Sequence, residues 1–135
     1  MKKILERLNS ECQNRDDNPT VGVISFYGKQ VENLNSLDKL KYENLNIDSG
    51  TVDTFQGQER DFIIVSMVRG NDRKDIGFAQ SPNRINVAFS RAKKLLVILG
   101  SVDTFTKVTK NDTPEKKNAK KVYQKIYELS HKDTI

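Results

Sequence analysis

The stretch Thr51-Val-Asp-Thr-Phe-Gln-Gly-Gln-Glu-Arg-Asp-Phe-Ile-Ile-Val-Ser-Met-Val68 holds two secondary-structure boundaries within a few turns of chain. Its second half is a continuous apolar, β-branched run bounded by charge, which predicts a buried strand over residues 62–68. Its first half closes a shorter strand, within residues 47–52, that breaks at Asp53. Asp53 followed by Gln56 has the spacing of a capping box and predicts a short helical turn. Gly57 then permits a positive φ or a close backbone approach. Strands that are apolar along their whole length belong to parallel sheets covered on both faces, so the stretch points to an α/β layer. Asp53 is then expected at the carboxyl edge of that sheet, where open α/β sheets hold their ligands.

On either side of this stretch, residues 20–26 (Thr-Val-Gly-Val-Ile-Ser-Phe) and 95–99 (Leu-Leu-Val-Ile-Leu, closed by Gly100) read as further buried strands. Ile4, Leu5, Leu8 and Cys12 recur at helical spacing and predict an opening amphipathic helix, ended by the polar residues 14–19. Val31, Leu34 and Leu37 predict a second helix. Ser81-Pro82 is a helix start, with Ser81 as cap and Pro82 in the first turn. That helix is expected to run to about Lys94, with Ile85, Ala88, Phe89 and Ala92 facing the core. Thr113-Pro114 repeats the signal ahead of a terminal helix over about 114–131, with Ala119, Val122, Tyr123 and Ile126 inward. The expected architecture is one domain, 1–135, in three α/β/α layers around a mostly parallel sheet of four or five strands.

Composition narrows the function. At 36% hydrophobic and 30% charged, 135 residues bury one modest core. The longest apolar runs fall far short of the roughly 20 residues that cross a bilayer, and Glu6 and Arg7 interrupt any signal-peptide pattern. A cytoplasmic location and no membrane partner are expected. The one cysteine, Cys12, excludes an internal disulfide and a cysteine-cluster zinc site, and the one histidine, His131, argues against histidine-based metal sites and triads; no metal site is expected. The net charge of +5 is concentrated. Residues 84–110 hold Arg84, Arg91, Lys93, Lys94, Lys107 and Lys110 against Asp103 alone, which favours a polyanionic partner.

Three segments carry the candidate chemistry. In the first, 51–61, three charges (Glu59, Arg60, Asp61) crowd the entry to a buried strand. In the second, 84–94, Arg84 and Arg91 return to nearly one face of the predicted helix and suit bidentate phosphate contacts. In the third, 24–30, a strand ends in a polar turn and Gln30 opens a helix, offering paired donor and acceptor groups. Each segment also has an ordinary reading, as a capped connector, a solvated arginine face or a surface glutamine. Neither a Gly-x-x-x-x-Gly-Lys-[Ser/Thr] loop nor a Gly-x-Gly-x-x-Gly turn occurs in the chain.

In this order and spacing, the three segments resemble the C-terminal RecA-like motor domain of superfamily 1 helicases, in the branch of the nonsense-mediated-decay and Dna-two type enzymes. Ile24-Ser-Phe-Tyr-Gly-Lys-Gln30 is similar to motif IV (Ile-x-Pro-Tyr-x-x-Gln), with Phe26 in place of Pro and Val31 where some relatives carry Arg. Residues 51–69 resemble motif V. Gly77-Phe78 and Arg84-Ile-Asn-Val-Ala-Phe-Ser-Arg-Ala-Lys93 resemble motif VI and its lead-in. The likeness covers about residues 20–100. It implies a P-loop NTPase fold without the P-loop itself, and ATP with Mg²⁺ bound mainly by an N-terminal P-loop motor domain of the same protein. It further implies that Arg91 is the catalytic arginine finger, that Gln30, Gly57, Glu59, Arg84 and Arg91 address the nucleotide, and that Arg84 also braces the motif VI helix. By the same resemblance Tyr27, Thr51 and Asp53 lie along a path for single-stranded DNA or RNA, and the isolated domain is inactive in ATP hydrolysis. Two competing readings are a stand-alone, non-catalytic nucleic-acid-binding or regulatory module and, well behind, a metal nuclease built on Asp48, Asp53, Glu59 and Asp61.

Overall fold

The computed structural model describes residues 1–36, 41–67 and 76–131, the Phe78 side chain excepted. Leu37, Val68 and Arg69, which the expected elements included, lie outside the described residues. In chain order the elements are α1 (Lys2–Glu11), β1 (Thr20–Ser25), α2 (Gly28–Asn35), β2 (Asn46–Thr51), β3 (Arg60–Ser66), a 3-10 turn (Gly77–Gln80), α3 (Pro82–Phe89), β4 (Ala92–Leu99), α4 (Val102–Thr106) and α5 (Pro114–Leu129). The strands form one sheet in the order β2-β1-β3-β4, and every pairing is parallel.

The pleat sorts alternate residues of the central strands into two cores. Val21 and Val23 of β1, with Phe62 and Ile64 of β3, pack under Leu5 and Leu8 of α1 and Leu34 of α2. Ile24 of β1, with Ile63 and Val65 of β3, packs on the opposite face under Ile85 and Ala88 of α3, Phe105 of α4, and Ala119 and Tyr123 of α5. The result is the expected α/β/α sandwich.

The link from β2 to β3 is the unusual part. These strands flank β1 on either side, so residues 52–59 must cross it and return to the amino edge, with less chain than the dozen or so residues a parallel crossover normally takes. They manage it by lying flat on the sheet, where Val52 and Phe55 are buried. The sheet beneath is bare. A Cβ on Gly22 would sit 2.7 Å from Ile63 Cδ1 and 2.8 Å from Phe55 Cε1, and one on Gly50 would sit 3.1 Å from the Thr54 side chain.

Several local expectations change. The motif VI helix stops at Phe89, and β4 begins at Ala92, because the chain after Ser90 is drawn into parallel pairing with the start of β3. Arg91 is therefore between a helix and a strand, and it does not share a helical face with Arg84. Ser81 stands at the N-cap of α3 but makes no side-chain cap bond, whereas Thr113 Oγ1 accepts the N–H of Lys116 at 3.3 Å as expected of α5. Helix α4, capped by Ser101, was not expected. On α5, Val122 is 46% exposed and does not join Ala119 and Tyr123 in the core.

Candidate functional site

Because all strands run the same way, each candidate residue takes one edge of the sheet from its place on a strand. Thr51 ends β2, and Tyr27 and Gln30 follow the end of β1, so these three share the carboxyl edge with Asp53. Gly57 and Glu59 precede β3, and Arg91 precedes β4, so these share the amino edge. The two edges are separated by the strand length, roughly 20 Å.

At the carboxyl edge, Ser25 Oγ donates to Gln30 Oε1 at 3.0 Å and accepts the N–H of Tyr27 at 3.0 Å. This fixes the first turn of α2. The Tyr27 hydroxyl donates to the Ile76 carbonyl at 2.8 Å, so its ring is held against the chain before α3. Phe26, at the position usually held by Pro, is buried in the core under α3 and α5. Thr51 Oγ1 accepts the N–H of Thr54 at 3.4 Å and lies 3.0 Å from Thr54 Oγ1, so Thr51 rather than Asp53 caps the turn that starts the crossover. The Asp53 carboxylate instead accepts Arg84 Nη2 at 3.1 Å. That ion pair ties motif V to the first half of α3 above a depression of about 260 Å³ lined by Val52, Asp53, Gln56, Ser81, Asn83 and Arg84.

At the amino edge, Gly57 has φ of 77°, a left-handed conformation that a residue with a Cβ resists. The three adjacent charges then part ways. The Arg60 guanidinium reaches Asp48 on β2 and Gln58 Oε1 at 3.1 and 2.9 Å, and it lies 5.4 Å from the centre of the Phe55 ring. It clamps the crossover onto the sheet. Asp61 Oδ2 accepts the backbone N–H and hydroxyl of Thr20 at 3.0 and 3.2 Å, and Oδ1 lies 3.4 Å from Lys94 Nζ. These contacts, led by the Thr20 N–H, hold its carboxyl below the ordinary value of 3.8. Glu59 is exposed, and its carboxylate has no hydrogen-bond or ion-pair partner among the described residues.

Arg91 joins Glu59 at this edge through the backbone: the Arg60 N–H donates to the Arg91 carbonyl at 3.0 Å. The side chain of Arg91 donates from Nη2 to Ser90 Oγ at 3.0 Å, and its Nε is buried with no acceptor among the described residues. It has no carboxylate partner among them either.

The structure thus brings Gly57, Glu59 and Arg91 together. Gln30 is placed at the far edge, with Tyr27, Thr51 and Asp53. Arg84 joins Asp53 at the carboxyl edge through their ion pair. Each acid of the nuclease alternative other than Glu59 is taken by a cation: Asp48 by Arg60, Asp53 by Arg84 and Asp61 by Lys94. Among the described residues no group of three or more His, Cys, Asp or Glu side chains is arranged to hold a metal ion. The clamp by Arg60 and the lock of Asp61 on Thr20 have no signal in the sequence, because the partners are on other strands.

A family model described as AAA domain matches residues 1–103. DNA polymerase alpha-associated DNA helicase A of Saccharomyces cerevisiae is 43% identical over 86 residues, which cover 62% of this chain and 12% of that protein. Regulator of nonsense transcripts 1 of Caenorhabditis elegans is 44% identical over 88 residues, covering 60% of this chain and 8% of the relative. Helicase sen1 of Schizosaccharomyces pombe is 41% identical over 87 residues, covering 62% and 5%. The chain thus spans a small part, 12% or less, of the length of these relatives.

Proposed function

The chain belongs to the AAA domain family, and from that membership we propose that it works as the second motor domain of an ATP-dependent superfamily 1 helicase. In this reading it completes an ATP site whose phosphate-binding floor is on an N-terminal P-loop domain, and it is inactive alone. The observation that carries the reading is the Arg60–Arg91 backbone bond, which holds Glu59 and an arginine without a carboxylate partner at one end of the sheet.

The residues at this edge suit a nucleoside triphosphate. The Arg91 Nε is buried without an acceptor among the described residues, a cost of about 1–3 kcal/mol that an anionic oxygen would remove. Its guanidinium is permanently charged and planar, and the backbone bond to Arg60 just before β4 positions its root. ATP with Mg²⁺, when bound, supplies the phosphoanhydride bond whose cleavage drives the motor. Arg91 stabilises the negative charge that phosphoryl transfer spreads over the equatorial oxygens. Glu59 accepts hydrogen bonds from the sugar, and Gly57 lets the backbone approach. Arg84, held by Asp53, sets the angle of α3 and so couples this edge to the other. At the carboxyl edge Tyr27, Thr51 and Asp53 line the path of a single strand of DNA or RNA. A cytoplasmic location accords with the sequence, and no helix among the described residues is long and apolar enough to cross a membrane.

The test joins this chain to a matching N-terminal P-loop domain. The isolated chain is expected to show negligible ATP hydrolysis, and the joined protein to show turnover. Arg91→Ala in the joined protein is expected to lower kcat by about 10³-fold or more. Turnover unchanged by that substitution sinks the assignment of Arg91.

A further inference from the structure

Helix α5 lies beyond the family match and outside every motif, and its outer face has an unusual charge pattern. Ala119 and Tyr123 are buried in the core, with Ile126 packed against it. Lys117, Lys121 and Lys125 recur every fourth residue on the opposite side, and all three are exposed. None of them has an ion-pair partner among the described residues. The carboxylate nearest the end of this row, Glu128, accepts from Gln124 Nε2 at 3.4 Å. By contrast Lys120, on the flank, is fully buried and spent on Asp112 and the Lys107 carbonyl. A row of like charges at this spacing opposes helix formation unless something of opposite sign lies along it.

The position of the row gives the partner. The Tyr27 hydroxyl donates to the carbonyl of Ile76, and the Tyr123 hydroxyl donates to that of Ala79, so the β1–α2 turn and the middle of α5 hold the same short segment. Helix α5 is therefore anchored beside Tyr27 at the carboxyl edge through its inner face, and its lysine row faces solvent next to that edge. Four residues of helix advance about 6 Å, so the ammonium groups form a ladder on the scale of successive phosphates in an extended strand.

We propose that Lys117, Lys121 and Lys125 form a phosphate ladder that extends the single-strand track from the carboxyl edge onto α5, binding the sugar-phosphate backbone without reading bases. This rests on the reading of Tyr27, Thr51 and Asp53 as a track, and it predicts a contact made by this chain on its own. Lysines are compact point charges suited to backbone neutralisation, and such contacts make affinity salt-dependent without conferring sequence preference.

The experiment uses the 135-residue chain and a fluorescein-labelled oligothymidylate, with binding followed by anisotropy over a range of salt concentrations. Wild type is expected to bind at low salt, with affinity that falls as salt rises. The triple variant Lys117→Gln/Lys121→Gln/Lys125→Gln is expected to flatten the slope of log K against log salt by about 2, the yield of three single-strand phosphate contacts. A control that removes the same charge on the opposite side of the sheet, Lys2→Gln/Lys3→Gln/Lys41→Gln, is expected to leave the slope within error of wild type. An equal loss in both triples, or no loss in the first, overturns the ladder. So does displacement of the probe by duplex as readily as by single strand at equal phosphate concentration. Absence of wild-type binding overturns it too, while leaving the motor reading to the Arg91→Ala turnover measurement. The urea midpoint of the α5 triple, expected not to fall, shows that a changed slope is not unfolding.

Discussion

At the scale of single residues, charge in this protein is sorted by what the chain brings nearby, and the sequence neighbourhood says little about the outcome. Glu59, Arg60 and Asp61 are consecutive, yet one faces solvent, one clamps a crossover and one locks two strand starts. Lys120 is a sharper case. Its ammonium is fully buried and held by Asp112 at 2.9 Å and by the Lys107 carbonyl at 3.0 Å, fastening the loop between α4 and α5. Burial opposes ionisation of Asp112, but the Thr109 N–H and the Lys120 ammonium outweigh it and hold its carboxyl below the ordinary value. Asp112→Ala leaves that lysine buried and unpaired, so it is expected to cost about 3–5 kcal/mol in urea unfolding. Pairing it with Lys120→Met is expected to recover most of the loss. A single variant within 1 kcal/mol of wild type would show the pair to be dispensable. In a lysine-rich helix nothing marks Lys120 beforehand, because its neighbours Lys117 and Lys121 look the same and stand in water.

At the scale of elements, local pattern reads strands and helix starts well and reads their ends poorly. The apolar runs in β1 and β3 and the Thr-Pro signal before α5 are all present in the fold. The sequence pattern predicts a longer α3 because the periodicity of Ile85, Ala88, Phe89 and Ala92 continues past Ser90, whereas the backbone of Arg91 and Ala92 is claimed by β3. Sheet pairing overrode helical spacing there, and it moved Arg91 from a helix face to the head of a strand. The β2–β3 crossover is an element that pattern cannot see, since its shortness depends on Gly22 and Gly50 lying beneath it. Gly22→Ala puts a methyl group 2.7–2.8 Å from Ile63 and Phe55, and is expected to cost about 1–3 kcal/mol in thermal or urea unfolding. A neutral result would mean that Phe55 has room to shift. Gly28→Ala, where nothing lies within 4 Å, serves as the control.

At the scale of the whole molecule, Asp61 joins the starts of β1 and β3 to Lys94 on β4, parts far apart in the chain, and Asp112 fastens the α4–α5 loop to α5. Both titrate below the ordinary Asp value of 3.8 in the folded protein. A depressed folded pKa means that the unfolded chain binds protons first, so their stabilisation is complete above the ordinary range and is lost as pH falls through the folded values. The urea midpoint is expected to be flat from about pH 7 to 5 with respect to these groups and to drop below about pH 4. Asp61→Asn is expected to lower stability near neutrality and to shallow the acid drop; an acid drop identical to wild type would show that Asp61 does not contribute to it.

The three-layer α/β architecture and the likeness to a superfamily 1 helicase motor domain are legible in the residues alone, because buried strands and their motifs are written in contiguous stretches. The sequence also nominated Glu59, Arg84, Arg91 and Asp53. Only the tertiary structure decided how they are grouped. Parallel pairing sends residues that are neighbours in motif V to opposite edges of the sheet, Thr51 and Asp53 to one and Gly57 and Glu59 to the other, and it brings Arg91 to Glu59 from far along the chain. Strand order, register and the path of a crossover set those meetings, and each depends on non-local contacts that no stretch of sequence contains.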